Sequence, residues 1–110
     1  MEELSKIEKF LLAYLWHEFF GKIYFTSSEK PEVYLAKTIA SELISEKEMR
    51  KRKELIDLIT EAIKKLTEYW MIQVSGYEVV LTSYGQSLVK EISKEEYKKL
   101  REEIAAGKFK

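Results

Sequence analysis

Residues 67–85 read TEYWMIQVSGYEVVLTSYG, and this stretch predicts a helix end, a β-hairpin and a new helix start in close succession. Residues 71–75 and 78–82 are rich in β-branched and apolar side chains, which is typical of short strands. Gly76 lies between them, at the centre of a tight hairpin turn. Thr82 or Ser83 then suits the N-cap of a helix that continues to Ile92.

Three helices and a strand are predicted before the hairpin. Residues 3–20 carry two apolar stripes at helical spacing, and the short segment KIYFT at 22–26 follows as a strand. Pro31 suits the first position of a second helix, which runs to Ile44. Ser45 and Glu48 then form an S-x-x-E capping box, which predicts a third helix from about Glu46 to Tyr69.

A last helix is predicted after the hairpin region, over residues 93–106. Ser93 and Glu96 form a second capping box at its start. Residues 107–110 are expected to be a frayed tail. The whole chain, 1–110, is predicted to be a single α+β domain that is mostly helical.

Composition limits the chemistry that this chain can perform. It has no cysteine and one histidine, His17, which argues against disulfides, thiolate sites and multi-histidine metal sites. No metalloprotease, phosphate-loop or nucleophile-elbow motif occurs, so we expect no enzyme, no metal and no cofactor. No apolar run reaches the roughly 20 residues that span a bilayer, so we expect a cytoplasmic protein without membrane contact. Few amides among many Lys and Glu residues suggest a thermophile, or an A/T-rich genome.

The order of these elements resembles the winged helix-turn-helix family. The resemblance rests on TIASEL (38–43), AIKKLTEYWMIQV (62–74) and VVLTSYGQSLVKEI (79–92), and it covers about residues 5–92. It implies a winged-helix core over 1–92 with a short antiparallel hairpin, and an additional C-terminal helix over 93–106. Two features depart from the family: the third helix is longer by about two turns, and the hairpin is short, with no Arg or Lys at its tip.

The family resemblance places a basic run at the start of the recognition helix. Arg50, Lys51, Arg52 and Lys53 are consecutive bases, but helical neighbours lie about 100° apart, so they cannot all face one groove. Acids four residues away, such as Glu46 with Arg50, provide the alternative of a solvated, self-paired surface. The resemblance implies contacts to double-stranded DNA from Lys47, Arg50 and Lys51 in the groove, from Lys30, Lys37 and Thr38 to phosphate, and from Tyr77 to sugar.

A second apolar stripe on the first helix predicts self-association. Leu12, Trp16 and Phe20 extend the apolar arc beyond what one core face needs, and Tyr97, Leu100 and Ile104 of the last helix would join them in a homodimer interface. Winged-helix regulators commonly dimerise through terminal helices, which presents two recognition helices to a palindromic site. The alternative is a first helix that is buried on both sides within one chain.

Two functions remain open at this point. The first is a dimeric DNA-binding transcription regulator that reads DNA with its third helix. The second is a winged-helix protein–protein interaction module within a larger complex, without DNA contact. A net charge of zero favours the second, because any attraction to nucleic acid must then come from a local patch.

Overall fold

The computed structural model describes residues 3–26 and 28–110, and Met1, Glu2 and Ser27 lie outside the described residues. In the described part the chain is α+β and mostly helical, with five helices and a three-stranded antiparallel sheet. The elements are α1 (Lys6–Phe19), β1 (Lys22–Tyr24), α2 (Pro31–Leu43), α3 (Met49–Glu68), β2 (Ile72–Ser75), β3 (Glu78–Leu81), α4 (Ser83–Val89) and α5 (Lys94–Ala105).

The first helix is the centre of the core. Ser5 and Glu8 form a capping box that starts α1, since each side chain bonds the backbone N–H of the other residue. The run from Phe10 to Leu15 is almost fully buried, because α3, α5 and the sheet cover α1 from several sides. The helix ends at Phe20, whose φ of 56° is left-handed.

The hairpin of β2 and β3 follows the third helix and supplies two of the three strands of the sheet. β3 lies in the middle of the order β1-β3-β2, with Val74 opposite Val79 and Ile23 opposite Val79 on its other side. Alternation places Val79 and Leu81 on the buried face, while Glu78 and Val80 point the other way. The hairpin was therefore correctly placed around Gly76, between Ser75 and Glu78.

The start of α4 packs tightly against the turn that precedes β2. Thr82 caps α4 by accepting a hydrogen bond from the Gly85 N–H at 3.0 Å. Gly85 lies so close to Met71 that an added Cβ would overlap the Met71 carbonyl oxygen and lie 3.0 Å from its carbonyl carbon. A side chain at position 85 is therefore incompatible with this approach.

The C-terminal segment is ordered against the core. Ser93 accepts a hydrogen bond from the Glu96 N–H and starts α5 as predicted. The expectation of a frayed 107–110 tail is wrong, because Phe109 is only 8% exposed and belongs to the core cluster. Gly107, with a φ of 86°, turns the chain back over the helix end and makes this packing possible.

No helix in the described ranges is both long and apolar enough to cross a membrane.

Candidate nucleic-acid interface

The third helix starts three residues later than its sequence predicts. The Ser45 hydroxyl accepts from the Lys47 N–H at 3.2 Å, and the Glu48 N–H donates to the Ser45 carbonyl at 3.0 Å. Ser45 therefore stabilises a turn between α2 and α3 instead of capping a helix at Glu46. Glu48 is the N-cap, and its side chain makes no capping bond. The helix is then continuous past Glu54.

Arg52 stabilises the junction between α2 and α3. Its Nε and Nη2 donate to the Ile44 carbonyl at 3.1 and 2.7 Å. This carbonyl belongs to the C-cap of α2, so the guanidinium satisfies a helix end that would otherwise need water. The spacing of four residues between Glu48 and Arg52 predicts an ion pair instead, and the described part of the chain contains no such pair.

Lys51 reaches toward the C-terminal tail. Its Nζ lies 3.5 Å from the Gly107 carbonyl oxygen and 5.9 Å from the centroid of the Phe109 ring. Lys51 is nevertheless exposed. Successive residues differ by about 100° around the axis, so its side chain leaves α3 on a different side from that of Arg50. The contact of Lys51 with DNA stays a prediction.

Lys47, Arg50 and Lys53 are exposed around the start of α3. None of them forms an ion pair within 4.0 Å in the structure of residues 3–26 and 28–110. The predicted pair of Arg50 with Glu46 is therefore not formed, and neither is the pair that the same spacing allows with Glu54. These three ammonium and guanidinium groups are directed to solvent. Together they form what we call the α3-start cluster.

The charge of α3 changes sign along its length. Residues 47–53 contain one acid, Glu48, and five bases: Lys47, Arg50, Lys51, Arg52 and Lys53. From residue 54 to 68 the acids are Glu54, Asp57, Glu61 and Glu68, and the bases are Lys64 and Lys65. The helix dipole favours the opposite order, with acids at the first turn and bases at the last. The basic start therefore costs helix stability, and its uncapped N–H groups add to a local positive potential.

The predicted phosphate contacts lie on α2. Lys37 pairs with Glu29 at 2.8 Å, and the Thr38 hydroxyl donates to the Tyr34 carbonyl at 2.9 Å. The Thr38 donor is thereby used, whereas the exposed Lys37 ammonium group retains two further donors. Lys30 is exposed at the N-cap of α2, which has no side-chain capping bond.

The hairpin tip lies near the start of α2. The Phe25 N–H donates to the Tyr77 carbonyl at 2.7 Å, and the Phe25 ring meets the Tyr34 ring edge-on with centroids 5.1 Å apart. Tyr77 itself is 67% exposed. Tyr77 and Lys30 thus belong to one end of α2, and the α3-start cluster belongs to the other. A helix of thirteen residues separates the two groups by about 20 Å.

The helices α2 and α3 stay close at both ends of α2. Arg52 contacts Ile44 at one end, and Glu32 lines a shallow groove with Ile63 and Lys64 at the other. The two helices are therefore packed against each other.

The predicted dimer interface is buried within one chain at three of its six positions. Leu12 and Ile104 are fully buried and Tyr97 is 3% exposed, because α5 packs directly on α1. The prediction that Leu12, Tyr97 and Ile104 form a dimer interface is therefore wrong. They fit the alternative, in which the first helix is covered on both sides within one chain. Leu100 and Trp16 are half-buried against the core, and Phe20 is 90% exposed.

A polar network holds α5 on α1 and α2. Arg101 donates to Glu42 of α2 at 2.7 Å and to the Tyr97 hydroxyl at 3.3 Å, and that hydroxyl donates to Glu18 of α1 at 2.6 Å. Burial and the hydrogen bond to Glu18 raise the pKa of Tyr97 well above its ordinary value. Burial and the Glu42 carboxylate do the same to the pKa of Tyr14, whose hydroxyl donates to Glu42 at 3.3 Å. These groups fix α5 in place on α1 and α2.

One exposed residue was missed by the sequence. Helical spacing predicts Trp70 on the apolar face of the third helix, but it lies beyond the helix end with a φ of 62° and is 74% exposed. The sequence indicates the conformation of Trp70 in part, because this residue falls next to the predicted helix end, where a left-handed residue is common.

Comparison with protein-family models, curated proteins and solved structures finds no match to this chain.

Proposed function

We propose that this protein is a winged-helix-like DNA-binding protein, acting as a dimeric transcription regulator that contacts double-stranded DNA with the start of α3. The observation that carries the proposal is the α3-start cluster of Lys47, Arg50 and Lys53. Its bases lie at the helix end where they destabilise the helix, and they have no acidic partner in the described ranges. A phosphate group would be stabilised there by both the side chains and the helix N-terminus.

Contacts with DNA would be confined to the α3-start cluster and its surroundings. Because the net charge is zero and the rest of α3 is acidic, the chain as a whole does not attract DNA. Lys30 and Tyr77, about 20 Å away along α2, would add a backbone contact at the hairpin end. Tyr77 has no neighbouring Arg or Lys at the hairpin tip, so the hairpin would contribute little electrostatic affinity.

The test is binding of a double-stranded DNA duplex, followed by fluorescence anisotropy between about 50 and 200 mM salt. Each phosphate contact contributes about 0.9 to the slope of log affinity against log salt. We expect Arg50→Ala/Lys53→Ala to lower that slope by about two and to weaken binding throughout the range.

The matched control is Lys94→Ala/Lys98→Ala, which removes the same charge from two exposed positions of α5. It should bind as the wild type does. Absence of wild-type binding at low salt, or an equal loss in both double variants, would refute contact through the start of α3.

The second candidate is a protein–protein interaction module. It is supported by Phe20 and Trp70, which are exposed at 90% and 74%. Exposed aromatic side chains are enriched at association sites. A chain that binds no DNA at low salt, yet self-associates or captures a partner through these aromatics, would support this candidate over the first.

A further inference from the structure

The first strand of the hairpin, β2, is an edge strand of the sheet. In the order β1-β3-β2, the two outer strands are β1 and β2. β1 has three residues and carries Lys22, whereas β2 has four residues, IQVS, without a charge or a proline. Charged side chains and proline are common means by which an edge strand is kept from pairing with another chain. β2 therefore lacks a protection that edge strands usually have.

The register of the sheet determines where the backbone groups of β2 point. The Thr82 N–H donates to the Met71 carbonyl at 3.0 Å, so Met71 faces β3. Because these directions alternate along an antiparallel strand, Gln73 faces β3 as well and Val74 faces away from it. Within residues 3–26 and 28–110, no hydrogen bond to the Val74 N–H or C=O is found. Val74 thus offers one donor and one acceptor at the outer edge of β2.

Val74 also lines a shallow groove of about 310 Å³ whose other walls come from α2 and α3. Its apolar surface comes from Val74, which is half-buried, and from Ile63, which is 1% exposed. Its charged members are Glu32 from the first turn of α2, and Lys64 and Glu68 from α3. The outer edge of β2 and the groove are therefore adjacent, and together we call them the β2-edge site.

A strand that pairs with the outer edge of β2 would direct one side chain into this groove. In a hydrogen-bonded antiparallel pair, the two opposite residues exchange both backbone bonds, and their side chains lie on the same face of the sheet. The residue opposite Val74 would share the face of Val74, which is the face that packs on the core, since Gln73 and Ser75 are the exposed residues of β2. Paired strands lie about 4.8 Å apart. The incoming side chain is therefore placed over the groove.

The charges of the groove favour a cationic side chain. Two carboxylates, Glu32 and Glu68, accompany one ammonium group, Lys64, and none of the three forms an ion pair within residues 3–26 and 28–110. Glu68 lies in the last turn of α3, where the helix dipole disfavours an acid. A cation there would be stabilised by the carboxylate and by the helix end. The apolar stem of an arginine or lysine would cover Ile63 and Val74.

We propose that the β2-edge site binds an extended peptide segment of another protein, which carries an arginine or lysine opposite Val74. The peptide would add a fourth strand to the sheet, so that backbone bonds provide affinity and the groove provides specificity. This inference goes beyond the proposed DNA contact and does not depend on it.

A second copy of β2 fits this site less well than a separate peptide. Twofold pairing of two β2 edges would place an outward-facing residue of β2 itself, Ile72 or Val74, opposite Val74. Ile72 is 1% exposed and Val74 is half-buried, because both side chains pack on the core of their own chain. Neither is therefore available to fill the groove of another chain, and neither carries a positive charge.

The experiment is fluorescence anisotropy of a fluorescein-labelled peptide, Thr-Val-Arg-Val-Thr, titrated with the protein at about 150 mM salt. Threonine and valine favour an extended chain. We expect saturable binding below about 1 mM, and binding at least about tenfold weaker when glutamate replaces the arginine. N-methylation of the arginine nitrogen removes the N–H that would donate to the Val74 carbonyl, and it should weaken binding to a similar extent. Hydrogen exchange of the Val74 N–H should slow when the peptide binds, while that of the Gln73 N–H, which faces β3, should not change.

Charge variants test the groove. Glu32→Lys and Glu68→Lys should each weaken binding of the arginine peptide at least about tenfold, whereas Lys64→Ala should leave it unchanged or strengthen it. The matched control is Glu102→Lys, which reverses the charge of an exposed acid on α5 and should bind as the wild type does.

Three results of the peptide titration overturn the proposal: no binding up to about 1 mM, equal binding of the arginine and glutamate peptides, or equal binding of the N-methylated peptide. Equal affinity of the two groove variants and the wild type also overturns it. Protection of the Val74 N–H that grows with protein concentration in the absence of peptide overturns it as well, because a second copy would then occupy the edge. The DNA titration decides the proposed function separately from each of these results.

Discussion

Gly85 provides the sharpest test of the packing that positions α4. In Gly85→Ala the new Cβ would overlap the Met71 carbonyl oxygen and lie 3.0 Å from its carbon and 3.3 Å from its Cα. Ordinary carbon contacts are about 3.5 Å or longer, so either α4 or the Met71 peptide must move. That peptide also accepts the Thr82 N–H at 3.0 Å, and movement would stretch this bond.

The magnitude follows from these two effects. Overpacking of a rigid site costs about 1–3 kcal/mol, and a weakened hydrogen bond adds about 0.5–1.5 kcal/mol. Alanine recovers up to about 1 kcal/mol through its better helix propensity. The net loss in free energy of unfolding is thus about 2 kcal/mol, which lowers the thermal midpoint of a chain of this size by roughly 10 °C.

The assay is urea unfolding followed by circular dichroism, with thermal melts in parallel. Gly76→Ala is the matched control, because a Cβ at that hairpin position would meet nothing within 4 Å and its φ is not left-handed. The control should change the free energy of unfolding by less than about 0.5 kcal/mol. A Gly85→Ala variant as stable as the wild type would refute the close approach of α4 to Met71.

Three further outcomes are expected. Arg52→Ala should lower the free energy of unfolding by about 1.5–3 kcal/mol, because the C-cap carbonyl of α2 loses two charged donors. The control Lys53→Ala should change the free energy of unfolding by less than about 0.5 kcal/mol. Equal urea midpoints for the two variants would contradict this reasoning. Phe109→Ala should cost about 2–4 kcal/mol by urea unfolding, since the ring is buried, and a loss below about 1 kcal/mol would show that the tail is not packed. Because the pKa of Tyr14 is raised in the folded chain, its phenol keeps a proton that the unfolded chain releases near pH 10. The stabilisation that this proton provides is therefore fully present below pH 10, and the free energy of unfolding falls above it. Tyr14→Phe should make the decline above pH 10 shallower by up to about 1.4 kcal/mol per pH unit, and an unchanged slope would contradict the assignment.

The hairpin and most helix ends could be predicted because their signals are local. Gly76 between two apolar runs, Thr82 three residues before Gly85, and Ser93 before Glu96 each determine a turn or cap through neighbours only a few residues away. The α+β class follows from the same signals. Ser45 shows the limit of this approach, since its hydroxyl can cap a helix or stabilise a turn, and α3 starts only after the turn.

The candidate sites were less predictable because they depend on distant residues. Lys51 is drawn away from the other bases by Gly107, which is 56 positions further along the chain. In the sequence, Leu12 and Tyr97 exceed the apolar residues that one core face of each helix needs. Both are buried because α5 packs on α1, and this packing between distant parts of the chain cannot be read from local spacing. Trp70 changes from a core residue to an exposed one through a single left-handed φ, which helical periodicity does not report.

The placement of α5 and its tail has a consequence for synthesis in the cell. The first helix is complete at Phe19, but Tyr97, Ile104 and Phe109 cover it only after almost the whole described chain has been translated. At ordinary elongation rates the apolar side of α1 stays uncovered for about 5 to 20 s. A chain that stops before residue 97 would leave this side of α1 exposed, and we expect such a fragment to aggregate more readily than the whole chain.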